Sequence, residues 1–428
     1  MTRPTDRLDE TRADALDLDD PLRGFRDEFH LPVGADGLPL VYLVGNSLGL
    51  MPKAVRGLVD QELEDWARLG VEGHLEARTP WYSYHEQFRD AAARVVGAMP
   101  GEVVMMNSLT VNLHLMLASF YRPAAGRVKI LIEEHAFPSD AYAVASHLRV
   151  RGVDPAEGLL IARARPGEEM LRTEDVEALL AQRGAEIALV MVSGVNYYTG
   201  QYFDLGRIAA AARRQGCLVG FDLAHAAGNV PLALHDWEAD FAVWCSYKYL
   251  NSGPGGIAGA FVHERHGRDP SVQRLAGWWG NDPATRFAMR PEFIPREGAD
   301  GWQLSNPPVL AMAPLRASLA LFDRAGMSAL RRKSESLTGQ LEALLMAIPD
   351  SPLRVLTPAD PAARGCQLSV LVPGRGRWLH DELRAQGIVT DYREPDVVRM
   401  APVPLYNSFH DVWRVAEAIR RTLGRTDA

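Results

Sequence analysis

DFAVWCSYKYLNSGPGG (240–256) runs from a continuous apolar stretch into a lysine set between two tyrosines and then into a glycine-rich turn. Short apolar runs without alternation mark strands buried on both faces of a mostly parallel sheet. Five others accompany this one: VKILIEE (128–134), LLIAR (159–163), EIALVMVS (186–193), CLVGFDL (217–223) and GGIAGAFVH (255–263). Between two of them, Asp204 stands as an N-cap before Leu205, Ile208 and Ala212, and Gly216 closes the stretch, which predicts a helix laid on the sheet. Strands alternating with helices predict an α/β fold. Residues 35–310 read as one large domain of this kind. After 311 the pattern becomes a long helical stretch through Ala347, a strand at 367–373, a helix near 377–387, a strand at 397–403 and a final helix, a smaller α+β domain over 311–428. Residues 1–34 read as a helical arm crossing onto the small domain or onto a partner.

The bulk properties exclude several classes. With 428 residues, 47% hydrophobic and 23% charged, the chain has the composition of a soluble globular protein. Its net charge of −8, with basic residues scattered among acids, argues against nucleic acid. Acids run through the first twenty residues, unlike a signal or transit peptide, and no apolar run has membrane-spanning length. Cys217, Cys245 and Cys366 are widely spaced and form no CxxC, which fits a reducing cytoplasm. No metal site is expected: His263-Glu264-Arg265-His266 is not HExxH. There is no Gly-Lys dipeptide for a Walker A loop, and the glycines at 253–259 lead into a strand rather than a helix.

Of the four lysines, Lys53 follows a proline, Lys129 opens a strand and Lys333 sits in a charged helical run; Lys248 alone lies among aromatics at a strand end. Partial desolvation there lowers an amine's pKa and frees it for Schiff-base formation. Upstream, GFDLAH (220–225) puts Asp222 at the C-terminal end of another buried strand, where ligands of open α/β sheets sit. Pyridoxal 5′-phosphate requires a lysine for its aldehyde, a carboxylate for its pyridinium nitrogen and donors for its phosphate. Lys248 and Asp222 supply the first two. For the third, Asn107-Ser108-Leu109-Thr110 opens a helical pattern, although the same residues would serve as a simple cap. Phe137, before Pro138-Ser139-Asp140, is a candidate stacking partner for the cofactor ring or a core aromatic beside a turn.

With these residues in place the chain resembles one family over nearly its whole length after about residue 25. GNSLGLMPK (45–53), NSLTVNLHL (107–115), AFPSDAY (136–142), SGVNYYTGQYFDL (193–205), GFDLAHAAGNVPLALHDW (220–237), SYKYLNSGPGGIAGAFVHERH (246–266), SNPPVL (305–310) and RMAPVPLYNSFHDV (399–412) look like kynureninase. The resemblance implies a fold-type I homodimer dependent on pyridoxal 5′-phosphate, with a mixed, mostly parallel seven-stranded sheet. It implies hydrolysis of the Cβ–Cγ bond of kynurenine or 3-hydroxykynurenine to alanine and anthranilate or 3-hydroxyanthranilate, in tryptophan catabolism or NAD biosynthesis. Carried over by residue, it implies cofactor contacts from Leu109, Thr110, Phe137, Ser139, Asp140, Ser193, Asp222, His225, Tyr247, Lys248, Trp278 and Asn306. Trp278 and Asn306 are the candidates for reaching across a subunit interface.

Arg399 matches the family arginine that grips the substrate α-carboxylate, a task suited to a planar guanidinium. Lys248 is expected to move the Cα proton and Tyr247 to relay a proton near the carbonyl. His74, Ser305 and Asn306 are expected near the aryl ring. A polar site of that kind favours 3-hydroxykynurenine, because a pocket built to bond a hydroxyl rejects the analogue lacking it. The rival within the same fold is a cysteine desulfurase or an aminotransferase. A desulfurase requires a mobile cysteine, and Cys366 reads as the start of a strand.

Overall fold

The computed structural model describes residues 8–424; the first seven residues of the expected arm lie outside them. A two-residue strand, β1 (Val41–Tyr42), precedes the central sheet, which contains β2 (Val103–Met105), β3 (Lys129–Glu133), β4 (Leu159–Ala162), β5 (Ile187–Ser193), β6 (Leu218–Asp222), β7 (Phe241–Trp244) and β8 (Gly259–Val262). The order is β2-β8-β7-β6-β5-β3-β4. Strands β4, β3, β5, β6 and β7 are parallel, and β8 runs antiparallel between β7 and β2. All six apolar runs of the sequence are strands of this sheet. The seventh, β2, has only three residues, too few for its run to stand out.

Alternate residues of each strand go to opposite faces, and each face has its own core. Leu131, Val190, Phe221 and Phe261 enter one; Ile130, Ile132, Leu189, Phe241 and Val262 enter the other. Gly220 is required inside β6, because a side chain there would collide with the ring of Phe241. The predicted helix is Leu205–Arg214, with the Asp204 carboxylate accepting the Arg207 N–H at 3.1 Å.

The small domain holds β9 (Arg354–Val355), β10 (Leu368–Leu371), β11 (Ile388–Val389), β12 (Asp391–Arg393) and β13 (Val397–Met400). β12-β13-β10-β9 form an antiparallel sheet, while β11 pairs in parallel with β1. The helical stretch expected to run unbroken to Ala347 is two helices, Val309–Ala325 and Met327–Met346, separated by Gly326 at φ +74°. The first buries Met312, Leu315, Leu319 and Phe322 in the large domain's core, whereas Leu337, Leu341 and Leu345 of the second enter the small domain's core. The arm helix Glu10–Asp19 adds Ala13 to that second core. Lys333, in its charged helical run, is buried and paired at 2.7 Å with Asp20, just after the arm helix.

Candidate active site

β3, β5, β6 and β7 all point their C-terminal ends at one place, where chain reversals expose side chains and backbone donors. Glu133 ends β3, Ser193 ends β5 and Asp222 ends β6, with Ser193 and Asp222 paired in register. Lys248 lies just past β7. The cavity above them is lined by Leu109, Thr110, Phe137, Ser139, Asp140, Ser193, Val195, Tyr197, Asp222, Ala224, His225, Tyr247 and Lys248.

The floor of this cavity is acidic. Asp222 is buried, and its Oδ1 accepts the Ala224 N–H at 2.7 Å. Asp140 lies beside it; burial first, and then the charge of Asp222, push the Asp140 carboxyl well above the usual carboxylate range. Burial also raises Glu133 to about 7, against hydrogen bonds from Ser193, whose Oγ donates to Glu133 Oε1 at 2.5 Å. Above the floor, Lys248 Nζ is 3.1 Å from His225 Nε2. Burial, reinforced by the Lys248 charge, holds His225 well below the usual imidazole range, so the ring is neutral and Nε2 accepts. Lys248 Nζ lies 5.8 Å from the Phe137 ring centre and 6.0 Å from that of Tyr247. Tyr247 is pushed up to about 12 by burial, so its phenol keeps its proton.

Two helices begin at the cavity wall, Leu109–Phe120 and Pro138–Val150, and neither has a side chain capping its N-terminus. The simple-cap reading of Ser108 therefore fails. Thr110 Oγ1 and Ser139 Oγ approach to 3.0 Å at these helix starts. Free N–H groups and two hydroxyls at converging helix N-termini form a seat for an anion such as phosphate. Buried Asp140 Oδ1 and His225 Nδ1 have no hydrogen-bond partner among the described residues. The lysine, the acidic floor and the anion seat fit pyridoxal 5′-phosphate.

Arg399 projects from β13 and is 1% exposed. Its Nη2 donates to Asp391 Oδ2 at 2.6 Å and its Nη1 to the Tyr197 carbonyl at 2.7 Å, while Nε has no hydrogen-bond partner among the described residues. The guanidinium is therefore a buried group between the domains and not a surface ion pair.

Residues 330–419 match the family model described as the kynureninase C-terminal domain. The kynureninase of Myxococcus xanthus (strain DK1622) is 57% identical over 410 residues, 96% of each chain. That of Xanthomonas oryzae pv. oryzae (strain PXO99A) is 57% identical over 95% of this chain and 97% of its own. The chain belongs to the kynureninase family. Among solved structures, the Escherichia coli cysteine desulfurase CsdA matches with a TM-score of 0.75 at 18% identity, over 94% of this chain and 98% of its own. The cystine C-S lyase C-DES, in complex with cysteine persulfide, matches with a TM-score of 0.75 at 18% identity, over 89% and 97%. Those two share the fold. The kynureninase family depends on pyridoxal 5′-phosphate, and the geometry above accommodates it.

The desulfurase alternative finds no support in the thiols. Cys217, Cys245 and Cys366 are all buried, and burial raises the Cys366 thiol to about 12. Five expected site residues do not line the Lys248 cavity of their own chain: Arg399, buried between the domains as described above, and Trp278, His74, Ser305 and Asn306. Trp278 is 43% exposed, with its ring against Trp279 and Phe287. His74 and Asn306 line a separate, largely apolar pocket of ≈ 490 Å³ with Glu62, Trp66, Trp81 and Pro308, and Ser305 adjoins it in the chain. Val195, Tyr197 and Ala224 line the Lys248 cavity although sequence reasoning passed over them; Tyr197 lay inside the SGVNYYTGQYFDL stretch that carries the resemblance. Glu133 was missed because a glutamate at the end of an apolar run reads as a strand terminus at the surface.

Among the described residues Glu102, His235 and His263 form a group with metal-ligand character. Its carboxylate is already engaged by the N–H groups of Met99 and Glu264, each at 2.9 Å, and by His235 Nδ1 at 3.0 Å.

Proposed function

We propose that this chain hydrolyses the Cβ–Cγ bond of 3-hydroxykynurenine and kynurenine, releasing L-alanine with 3-hydroxyanthranilate or anthranilate. The observation that carries the reading is Lys248, its amine 3.1 Å from a neutral His225, over a buried floor ended by Asp222. Bound pyridoxal 5′-phosphate supplies an aldehyde for the substrate amine and an electron sink for the carbanion formed beside it. Asp222 holds the pyridinium nitrogen protonated. Thr110, Ser139 and the N–H groups of Leu109 and its neighbours take the phosphate, Ser193 steadies the floor, and Phe137 and His225 flank the ring. With the cofactor bound, Lys248 would serve as the base that takes the substrate Cα proton. Tyr247, whose phenol keeps its proton, donates near the substrate carbonyl as carbon–carbon cleavage develops. Arg399 takes the α-carboxylate.

The homodimer belongs to this reading. Trp66, Val71, Leu75, Trp278, Phe287 and Met289 are large apolar side chains left exposed, as expected of a face another subunit covers. Across it, Trp278 and Asn306 reach the partner's cofactor, and His74 with Ser305 and Asn306 meets the aryl ring. That polar set favours the 3-hydroxy substrate. We also place the enzyme in the cytoplasm, in tryptophan catabolism or NAD biosynthesis, and read 1–34 as an arm, 35–310 as the cofactor-binding domain and 311–428 as the small domain, whose first helix packs back on the large domain's core. No helix among the described residues is long and apolar enough to cross a membrane.

Purified enzyme given each substrate should release alanine and the matching anthranilate in equal amounts, with the higher kcat/KM for the 3-hydroxy form. Sulfide release from cysteine at a comparable rate overturns the assignment. Equal or better use of kynurenine overturns only the ring preference. Lys248→Ala should lose the visible absorption band of the lysine-bound cofactor.

A further inference from the structure

An α-amino acid carries its amine and its carboxylate on one carbon, so a site that exchanges the amine at Lys248 and holds the carboxylate at Arg399 must keep those two groups a set distance apart. They come from different domains. The segment Gly45-Asn46-Ser47-Leu48-Gly49, to which the reaction assigns nothing, runs between them.

Just before it, β1 pairs with β11 of the small domain, and Val44 bridges to Ala401, two residues past Arg399. Gly45 lies against Val403 and Tyr406, with no room for a side chain. Asn46 Nδ2 donates to Gln367 Oε1 at 2.9 Å. Ser47 Oγ donates to Asp391 Oδ2 at 2.6 Å, the same oxygen that accepts Arg399 Nη2 at 2.6 Å. The other Asp391 oxygen lies 3.0 Å from Arg393 Nη1. At the far end, the Gly49 N–H donates to the Tyr247 carbonyl at 2.8 Å, and a Cβ at Gly49 would collide with the Lys248 carbonyl oxygen. Within five residues the backbone passes from the small-domain strand beside Arg399 to the backbone of the lysine. Ser47 and Asp391 are its side-chain link to the guanidinium.

We propose that Ser47 and Asp391 are positioning residues for amino-acid capture: Asp391 fixes the Arg399 guanidinium, and the 45–49 segment, through Ser47, sets that guanidinium at a constant reach from Lys248. The inference rests on Arg399 as the carboxylate grip. A buried guanidinium with its stem in one domain has freedom to swing, and a misplacement of about 1 Å is enough to cost about a hundredfold in a reaction that depends on alignment. Asp391 is an acid beside the seat of an anion. Its charge alone repels the substrate, so only its hydrogen bond to Arg399 favours binding.

That opposition of signs makes the test decisive. The holoenzyme is titrated with L-alanine and with L-alaninamide, which lacks the carboxylate, and binding is read from the visible absorption of the cofactor. In Asp391→Asn the preference for alanine over alaninamide should fall about tenfold, and in Ser47→Ala about threefold, the latter restored by Ser47→Thr. With kynurenine as substrate, both variants should raise KM by more than they lower kcat. A preference that is unchanged, or increased because a negative charge has gone, overturns the proposal, as does equal weakening of both ligands. If Asp391→Asn does not retain cofactor, Ser47→Ala, which alters no charge, decides on the same criteria. Arg399→Ala separates the two levels: it should abolish the preference, and if the preference survives there, the reading of Arg399 falls and this proposal with it.

Discussion

The floor below Lys248 and the wall at Arg399 are both buried and charged, yet they are built in opposite ways. The floor gathers Glu133, Ser193 and Asp222 from the ends of neighbouring parallel strands, with Asp140 from the helix that follows β3. Strand pairing brings the first three side chains together, and the start of the helix adds the fourth. The wall gathers Ser47, Tyr197, Asp391 and Arg399, which meet only because two domains and a linking segment close on one another. A floor held by one sheet can keep acids poised at raised pKa for chemistry on the ring. A wall assembled between domains suits capture and release of a substrate. On that comparison, floor variants should reduce kcat and wall variants should raise KM.

The largest effect should come from Asp222→Ala, which on the proposed reading removes the counter-ion of the pyridinium. A loss in kcat of about a thousandfold is expected in steady-state assays, with KM changed far less. If KM carried the loss, the floor would be a binding surface and the comparison would break. Arg399→Ala should raise KM about a hundredfold, the consequence of losing a charge-assisted pair, and leave the cofactor's absorption band in place. Tyr247→Phe stands between the two regions; a fall in kcat of about tenfold without loss of cofactor identifies a proton donor, whereas weakened cofactor retention identifies a phosphate contact.

A further effect concerns stability rather than turnover and sharpens the account of the floor. Burial holds the Glu133 carboxyl at about 7, above its ordinary value of 4.5. The folded chain keeps this proton while the unfolded chain releases it as the pH rises from about 4.5 to about 7, so this contribution to stability is full below the window and lost through it. Glu133→Gln cannot lose a proton. Relative to wild type it should gain stability across that window, by up to about 3 kcal/mol in denaturant unfolding compared at about pH 5 and pH 8. A difference independent of pH would place the carboxylate elsewhere than in a dry floor.

Much of this was legible before the fold. Continuous apolar runs found six of the seven strands because both faces of the sheet are covered, and such strands carry no polar alternation to disguise them. Lys248 and Asp222 were legible because each sits at the end of such a run. The break at Gly326 was not, since the apolar spacing of the two helices continues through it, and only packing sends one helix to each domain. Trp278, Ser305, Asn306 and His74 were reached by resemblance alone, and they stand outside the Lys248 cavity of their own chain.

The amino-acid sequence by itself determined the α/β architecture and the position of Lys248 and Asp222 at the ends of buried strands, because periodicity and strand-end position are local properties of the chain. Only the tertiary structure decided that burial pushes His225 below the usual imidazole range and Glu133 and Asp140 above the usual carboxylate range, and that Asp391 and Ser47 grip Arg399. Desolvation and hydrogen-bond geometry depend on which distant residues arrive together. No local pattern encodes that meeting.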